Sequence, residues 1–400
     1  MSLSRRAFVR TLGVGSAGAL STPWILGRSG EALNWTPDPF EAVLQASTQQ
    51  EVIKISGNEN ARGPGEAAVD AMVKLIRDNV GRYHFNLARE ELPEAIARNL
   101  GYGLTAENVL ISTGSGAILT AGVRAYVSES RPLVNGAPSF GSPNRTASQI
   151  GASIREVPVD ANLRLDLDGM AEAAIGAGLV FLCNPNKPTA TAHSLADVTA
   201  FIERVKASSP DTAILVDEAY IEYATDANVE TATTQALEHD NVFVARTFSK
   251  GYGMAGLRLG YAAARPATLA KLNAAWGLGS VNILTASAAI ASLNDPDRML
   301  NEREENRRVR NFTRRAFEEM GYETTDSQTN FLFVNVRQPA AEFRDAALDQ
   351  GVQVGRDFPP MEQTHARISL GTMEEMERAA ETLRNFRREM SMASARSLHR

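Results

Sequence analysis

The sequence of 400 residues predicts an α/β fold, a large domain with a mostly parallel sheet sandwiched by helices plus a smaller α+β domain. Three observations carry that reading. Seven strand-like runs before residue 265 are mostly continuous apolar stretches rather than alternating ones, as expected of strands covered on both faces. Helix-period segments lie between them, which reads as a series of right-handed crossovers. After Asp295 that rhythm ends, and helices and strands mix without it.

Taken in order, a helix is predicted over Glu66–Val80, where Val69, Met72, Val73, Ile76 and Val80 recur at three-and-four spacing. The strand-like runs are Asn108–Ser112, Pro132–Asn135, Ile154–Val157, Leu179–Cys183, Ala213–Val216, Val242–Ala245 and Leu259–Ala263. A long charged helix, Asp297–Met320, leads to a strand Phe331–Val336 and a helix Ala340–Gln350. A short strand Val352–Val354, a strand Ala366–Leu370 and a final helix from Met373 to Arg388 complete the series. The expected organisation is a segment 31–60 joining the small domain, a large domain 61–290, a small domain 291–390 and a frayed tail 391–400.

Composition narrows the function. With 44% apolar and 22% charged residues the chain has ample core, which excludes disorder, collagen-like repeats and coiled coil. The formal charge is −6, and the first thirty residues hold four Arg and no acid, so the remainder is more negative still. A nucleic-acid backbone is therefore excluded as a partner, and small molecules are favoured. The five His stand apart from any Cys or paired carboxylate at ligand spacing, so no metal site is expected. The single Cys183 cannot form an intramolecular disulfide.

Residues 1–30 read as an address. Ser4-Arg5-Arg6-Ala7-Phe8-Val9-Arg10 precedes a mildly apolar stretch, Thr11–Leu26, diluted by Gly13, Gly15 and Gly18 and too short to span a bilayer comfortably. The segment resembles a twin-arginine export signal, the alternative being an ordinary amphipathic helix. The resemblance implies a periplasmic or secreted protein that touches the membrane only through the export machinery, with a mature start near residue 30. A chain folded before export needs no disulfide, which fits its cysteine content.

The chemistry gathers at predicted strand ends. Thr247-Phe248-Ser249-Lys250-Gly251 follows one strand, and Arg258 comes shortly after in Ala255-Gly256-Leu257-Arg258. Both sit at the carboxyl edge of the sheet, where ligands bind in open α/β folds. A desolvated lysine forms a Schiff base with an aldehyde, while hydroxyls and a guanidinium clamp a phosphate; together these describe pyridoxal phosphate. Asp217, in Asp217-Glu218-Ala219-Tyr220, closes another strand, and a buried Asp keeps a pyridine nitrogen protonated. Tyr220 is placed to hydrogen-bond the ring's phenolate oxygen. Thr113-Gly114-Ser115-Gly116 opens a helix whose free N–H groups suit an anion. Phe140, in Ala137-Pro138-Ser139-Phe140-Gly141, is placed to stack on a planar ring. Asn184-Pro185-Asn186-Lys187-Pro188-Thr189 forms a Pro-rigidified loop at a further strand end. Singly, each motif also fits a turn, a helix start or simple packing; their order is the specific signal.

In that order the motifs resemble the fold-type I pyridoxal-phosphate aminotransferases, most closely the histidinol-phosphate aminotransferase-like branch. The resemblance covers about residues 55–388 and includes Asn58-Glu59-Asn60 and Arg82-Tyr83. It implies pyridoxal 5'-phosphate as cofactor, an amino donor and an oxo-acid acceptor as substrates, and a homodimer. It implies Lys250 as the Schiff-base lysine and proton carrier, with Asp217 at the ring nitrogen, Tyr220 at the phenolate oxygen and Phe140 stacked on the ring. Ser115, Gly116, Thr247, Ser249 and Arg258 would hold the phosphate, joined by Tyr83 from the neighbouring subunit. Asn330, Arg356 and Arg367 would face the substrate, with Arg367 gripping its carboxylate.

Two departures stand out. Where the family writes Asn-Asn-Pro-Thr-Gly this chain has Asn186-Lys187-Pro188-Thr189-Ala190, so a lysine is expected to face the phenolate oxygen. Gly116-Ala117 leaves only backbone donors where the family carries polar side chains. The leading reading is an aminotransferase; the alternatives are a decarboxylase, lyase or cyclase on the same fold, or an exported cofactor binder without turnover. A dinucleotide-dependent dehydrogenase is excluded, because residues 132–136 lack the acid its ribose contact requires. Export makes histidine biosynthesis an unexpected task, so another amino acid or amine is the expected donor.

Overall fold

The computed structural model describes residues 52–78 and 80–397, so the expected export signal and most of the segment 31–60 lie outside the described residues. In chain order the strands are β1 (Ile53–Ile55), β2 (Val109–Ser112), β3 (Leu133–Ala137), β4 (Ile154–Pro158), β5 (Leu179–Cys183) and β6 (Ala213–Asp217). There follow β7 (Val242–Thr247), β8 (Gly260–Ala264), β9 (Glu323–Thr324), β10 (Phe331–Asn335), β11 (Val352–Val354) and β12 (His365–Ser369). Seven of them form the main sheet in the order β2-β8-β7-β6-β5-β3-β4. β8 runs antiparallel to both its neighbours and every other pairing in that sheet is parallel.

The continuous apolar runs have a direct explanation in the two cores they serve. In β5, Leu179, Phe181 and Cys183 enter one core with the helices Ser115–Tyr126 and Pro266–Ala275, whereas Val180 and Leu182 enter another with Leu167–Ala173 and Leu195–Ser208. A strand apolar on one face only would leave the second helix layer without a partner. Each such buried side chain contributes about 1.5–3 kcal/mol, enough to fix the register.

β12, β10 and β9 form a separate antiparallel sheet with its own core. That core takes Val309 and Phe317 from the long helix Pro296–Glu319, Phe343 and Ala347 from Ala340–Asp349, and Met376 and Leu383 from the final helix. β1 pairs in parallel with β11, Ile53 opposite Val352, and adds Ile53 and Ile55 to it. The chain just before residue 60 thus packs with C-terminal elements.

Two expectations need correction. The final helix runs Met373–Ser397, past the expected end at Arg388 and into the stretch read as frayed. Met392, Ala393, Ala395 and Arg396 are good helix formers, and neither Gly nor Pro stands there to stop them. The helix at Glu66 ends at Asp78, and only part of its apolar stripe meets the core: Ala68 is buried and Met72 packs against the same cluster, but Val69, Val73 and Ile76 are 40%, 37% and 50% exposed. The periodicity located the helix and its apolar face without saying what covers that face.

Candidate active site

The carboxyl ends of β6 and β7 bring the predicted residues together. Asp217, the last residue of β6, is 2% exposed, and burial pushes its carboxyl up to about 7. Its Oδ1 has no hydrogen-bond partner among the described residues. Glu218 is placed otherwise: it accepts from the Ala232 N–H and the Thr231 hydroxyl, both at 2.7 Å, and lies 3.9 Å from Arg246. Of two neighbouring carboxylates one is satisfied by protein and one keeps a bare oxygen. A protonated ring nitrogen is the kind of group that satisfies such an oxygen, so the residues present fit a pyridine cofactor.

Lys250 is set by its neighbour. Phe248 is fully buried with Met254 and Leu259, 4.5 Å from the Tyr252 ring, and this anchor holds the segment after β7. The Lys250 amine donates to the Asn58 carbonyl at 2.9 Å and lies 5.8 Å from the Tyr220 ring centroid. Burial, aided by the Arg367 charge, lowers the amine to about 8. Tyr220 is buried edge-on against Phe331, 5.1 Å between centroids, and its hydroxyl oxygen accepts from Asn58 Nδ2 at 3.1 Å. Burial holds the phenol above its usual range.

The residues predicted to hold a phosphate are tied to one another. Thr247 Oγ1 accepts from the Ser249 N–H at 3.1 Å and donates to the Leu259 carbonyl at 3.2 Å. Arg258, in left-handed conformation at φ 58°, donates to Ser249 Oγ at 3.3 Å and to the Ala255 carbonyl at 2.9 Å. The helix Ser115–Tyr126 starts at Gly114, φ 88°, with no side-chain cap. A Cβ at Gly114 would collide with the Arg258 guanidinium, so glycine is what lets that cation approach the positive end of the helix. Nothing lies within 4 Å of where a Cβ at Gly116 would project. A guanidinium, two hydroxyls and an uncapped helix start in one place suit a phosphate.

Asn186 sews the aromatic loop to the Lys187 loop. It donates to the Pro138 carbonyl at 3.1 Å and to Thr189 Oγ1 at 2.8 Å, and accepts from Ser139 Oγ at 2.8 Å. Lys187 Nζ lies 4.5 Å from the Phe140 ring centroid. Burial first, then Arg367, Lys250 and Arg356, lower its ammonium to about 7.

Of the residues expected to face the substrate, Arg367 stands on β12 opposite Phe333, buried, with Nε unpartnered among the described residues and Nη2 donating to the Ser56 carbonyl. Burial lowers it to about 10. Arg367 and exposed Arg356 share one ring: their guanidinium carbons lie 5.0 Å and 4.5 Å from the Phe358 centroid. Asn330 donates to the carbonyls of Asn58 at 3.2 Å and Glu59 at 3.3 Å. Tyr83 stands apart, 88% exposed and stacked on Phe85 at 5.1 Å. A cavity of 1130 Å³ between Arg164, Asp226 and His365 is lined by none of the residues predicted for the site.

Sequence reasoning missed the ties that hold the set. The Asn-Glu-Asn motif marks Asn58 without a role, Asn186 reads as one amide in a loop, and the meeting of Arg367 with Phe358 has no local signal.

A profile of the family described as Aminotransferase class I and II matches residues 50–383. The histidinol-phosphate aminotransferase of Symbiobacterium thermophilum is 37% identical over 347 residues, 86% of this chain and 93% of that protein. That of Moorella thermoacetica is 32% identical over 350 residues, 87% of this chain and 89% of its own. The crystal structure of histidinol-phosphate aminotransferase from Sinorhizobium meliloti in complex with pyridoxal-5'-phosphate aligns with a TM-score of 0.77 at 27% identity, covering 94% of this chain and 99% of that one.

Proposed function

The chain belongs to the class I and II aminotransferases and exchanges amino groups with pyridoxal 5'-phosphate as cofactor; from that premise we propose which residues act, on what substrate and where. The cofactor supplies an aldehyde carbon and an electron-withdrawing pyridinium ring. Asp217 faces the ring nitrogen and keeps it protonated, a role supported by its bare buried oxygen. Tyr220 donates to the phenolate oxygen, Phe140 packs against the ring, and Lys187 adds a cation on the phenolate side. Thr247, Ser249, Arg258 and the helix start at Ser115 and Gly116 hold the phosphate. Lys250 presents the amine that anchors the cofactor at rest and, once freed, moves the proton at the substrate's α-carbon.

Arg367 grips an anionic group of the substrate, with Arg356 at the same Phe358 ring and Asn330 bonded nearby to the Asn58 carbonyl. An anion there offsets the burial of Arg367 and the mutual repulsion of Arg356, Arg367 and Lys187. We infer an amino donor that carries a carboxylate or phosphate ester; the relatives named for histidinol phosphate offer one example of the latter. The exposed stripe Val69, Val73 and Ile76 and the exposed Tyr83 support a homodimer in which Tyr83 reaches the neighbouring phosphate. Arg5 and Arg6 support twin-arginine export to the periplasm or beyond, where the donor serves a task other than histidine biosynthesis.

The observation that carries the reading is the convergence of a desolvated amine, Lys250, with an orphaned buried carboxylate, Asp217, at adjacent strand ends. The test is to mix holoenzyme with single amino donors, with and without a second anionic group. Transamination moves the visible absorption into the ultraviolet and releases an oxo acid, fastest for the anionic donors. Release of CO₂ with the visible band retained would overturn it in favour of a decarboxylase.

A further inference from the structure

Asn58 has no catalytic role in the account above, yet four parts of the molecule meet on it. It is fully buried, with backbone in the left-handed region at φ 52°, a conformation asparagine tolerates better than most residues. Its backbone N–H donates to Ser369 Oγ at 2.9 Å, and Ser369 Oγ donates to Asn58 Oδ1 at 2.6 Å. Its Nδ2 donates to the Tyr220 hydroxyl oxygen at 3.1 Å. Its carbonyl accepts from the Lys250 amine at 2.9 Å and from Asn330 Nδ2 at 3.2 Å.

The direction of these bonds matters. A phenol has one proton to give. With Ser369 donating to Oδ1, the amide is fixed so that Nδ2 faces Tyr220, and Tyr220 accepts there rather than donates. Its proton stays available for another oxygen. The reverse amide orientation would use that proton on Asn58 and leave none for the cofactor. The carbonyl offers the Lys250 amine a fixed partner whenever it is not bonded to the cofactor, and Asn330 steadies that carbonyl. Ser369 lies two residues from Arg367 on β12, hence on the same side of the strand.

We propose that Asn58 is a positioning residue of the reaction: it holds the Tyr220 hydroxyl as a donor toward the cofactor's phenolate oxygen, receives the free Lys250 amine on its carbonyl, and ties both to the strand that carries the substrate-gripping Arg367. The proposal rests on the roles given above to Tyr220 and Lys250. The charged and titratable groups around Tyr220 and Lys250 are Arg367, Arg258, Asp217, Cys183 and Glu59, with Lys187 close by, and the test variants leave all of them in place.

The test is a spectroscopic pH titration of the holoenzyme, whose visible band has a midpoint reporting how firmly the phenolate oxygen holds the neighbouring proton. Asn58→Gly keeps the left-handed backbone open to the chain and removes only the side chain. With the Asn58 amide gone, Tyr220 donates less well and the phenolate holds that proton more firmly. The expected result is an upward shift of the midpoint by roughly 0.5–1 pH unit, absent in a Tyr220→Phe background. Ser369→Ala, which frees the amide to rotate, is expected to give a smaller shift with the same dependence on Tyr220, and it decides alone if Asn58→Gly does not fold. No shift, or an equal shift in both backgrounds, overturns the proposal. A Tyr220→Phe variant with an unaltered midpoint overturns the role of Tyr220 itself, and is thereby told apart.

Discussion

At the scale of single residues, Lys187 adds a titratable amine to the candidate site. Its amine lies against Phe140 among Arg367, Lys250 and Arg356, with burial and those cations holding it to about 7. An ammonium is a stronger donor to a phenolate than an amide, and its charge opposes a second proton nearby. Lys187→Asn is therefore expected to raise the pH midpoint of the visible band, and an unchanged titration would separate Lys187 from the phenolate oxygen. Lys250, Asp217 and Tyr220 were legible because each follows an apolar run that ends at one edge of a sheet. Asn58 was not: its partners Tyr220 and Ser369 lie 162 and 311 residues away, and no local pattern encodes such pairings. The position of Lys187 was legible as a departure from a motif, but its contact with Phe140 depends on Asn186 joining loops 47 residues apart.

At the scale of elements, the strands of the main sheet were readable to within two residues, because burial on both faces writes itself as an unbroken apolar run. Their direction was less so. β8 runs antiparallel to β7: the connection between Thr247 and Gly260 holds only the short helical turn Ala255–Leu257, and a parallel return is made by a crossover that is most often a full helix. The helix Glu66–Asp78 carries the opposite lesson, since an apolar face marks burial without naming the partner. With Val69, Val73 and Ile76 exposed, the partner we propose is a second copy of the chain. Ile76→Asp, which costs little in a single chain because the side chain is already half in water, is expected to give monomers with greatly reduced activity by light scattering and assay. A dimer of unchanged strength would remove this helix from the interface.

At the scale of the whole molecule, the main sheet carries the residues proposed to hold the cofactor and β12 carries Arg367, proposed to face the substrate, while Asn58 bonds to both Tyr220 and Ser369. The proposed export of this folded assembly rests on Arg5 and Arg6. Replacing both with Lys keeps the charge and changes the signal, so the protein is expected to remain in the cytoplasm; undiminished periplasmic recovery would mean that the segment is no twin-arginine signal. The central claim is that Lys250 anchors the cofactor of this aminotransferase. It is tested most directly by reducing the holoenzyme with borohydride, digesting it and locating the cofactor-labelled peptide. The account predicts label on the peptide that contains Lys250 and none after Lys250→Ala, and label centred on Lys187 or any other lysine would contradict it.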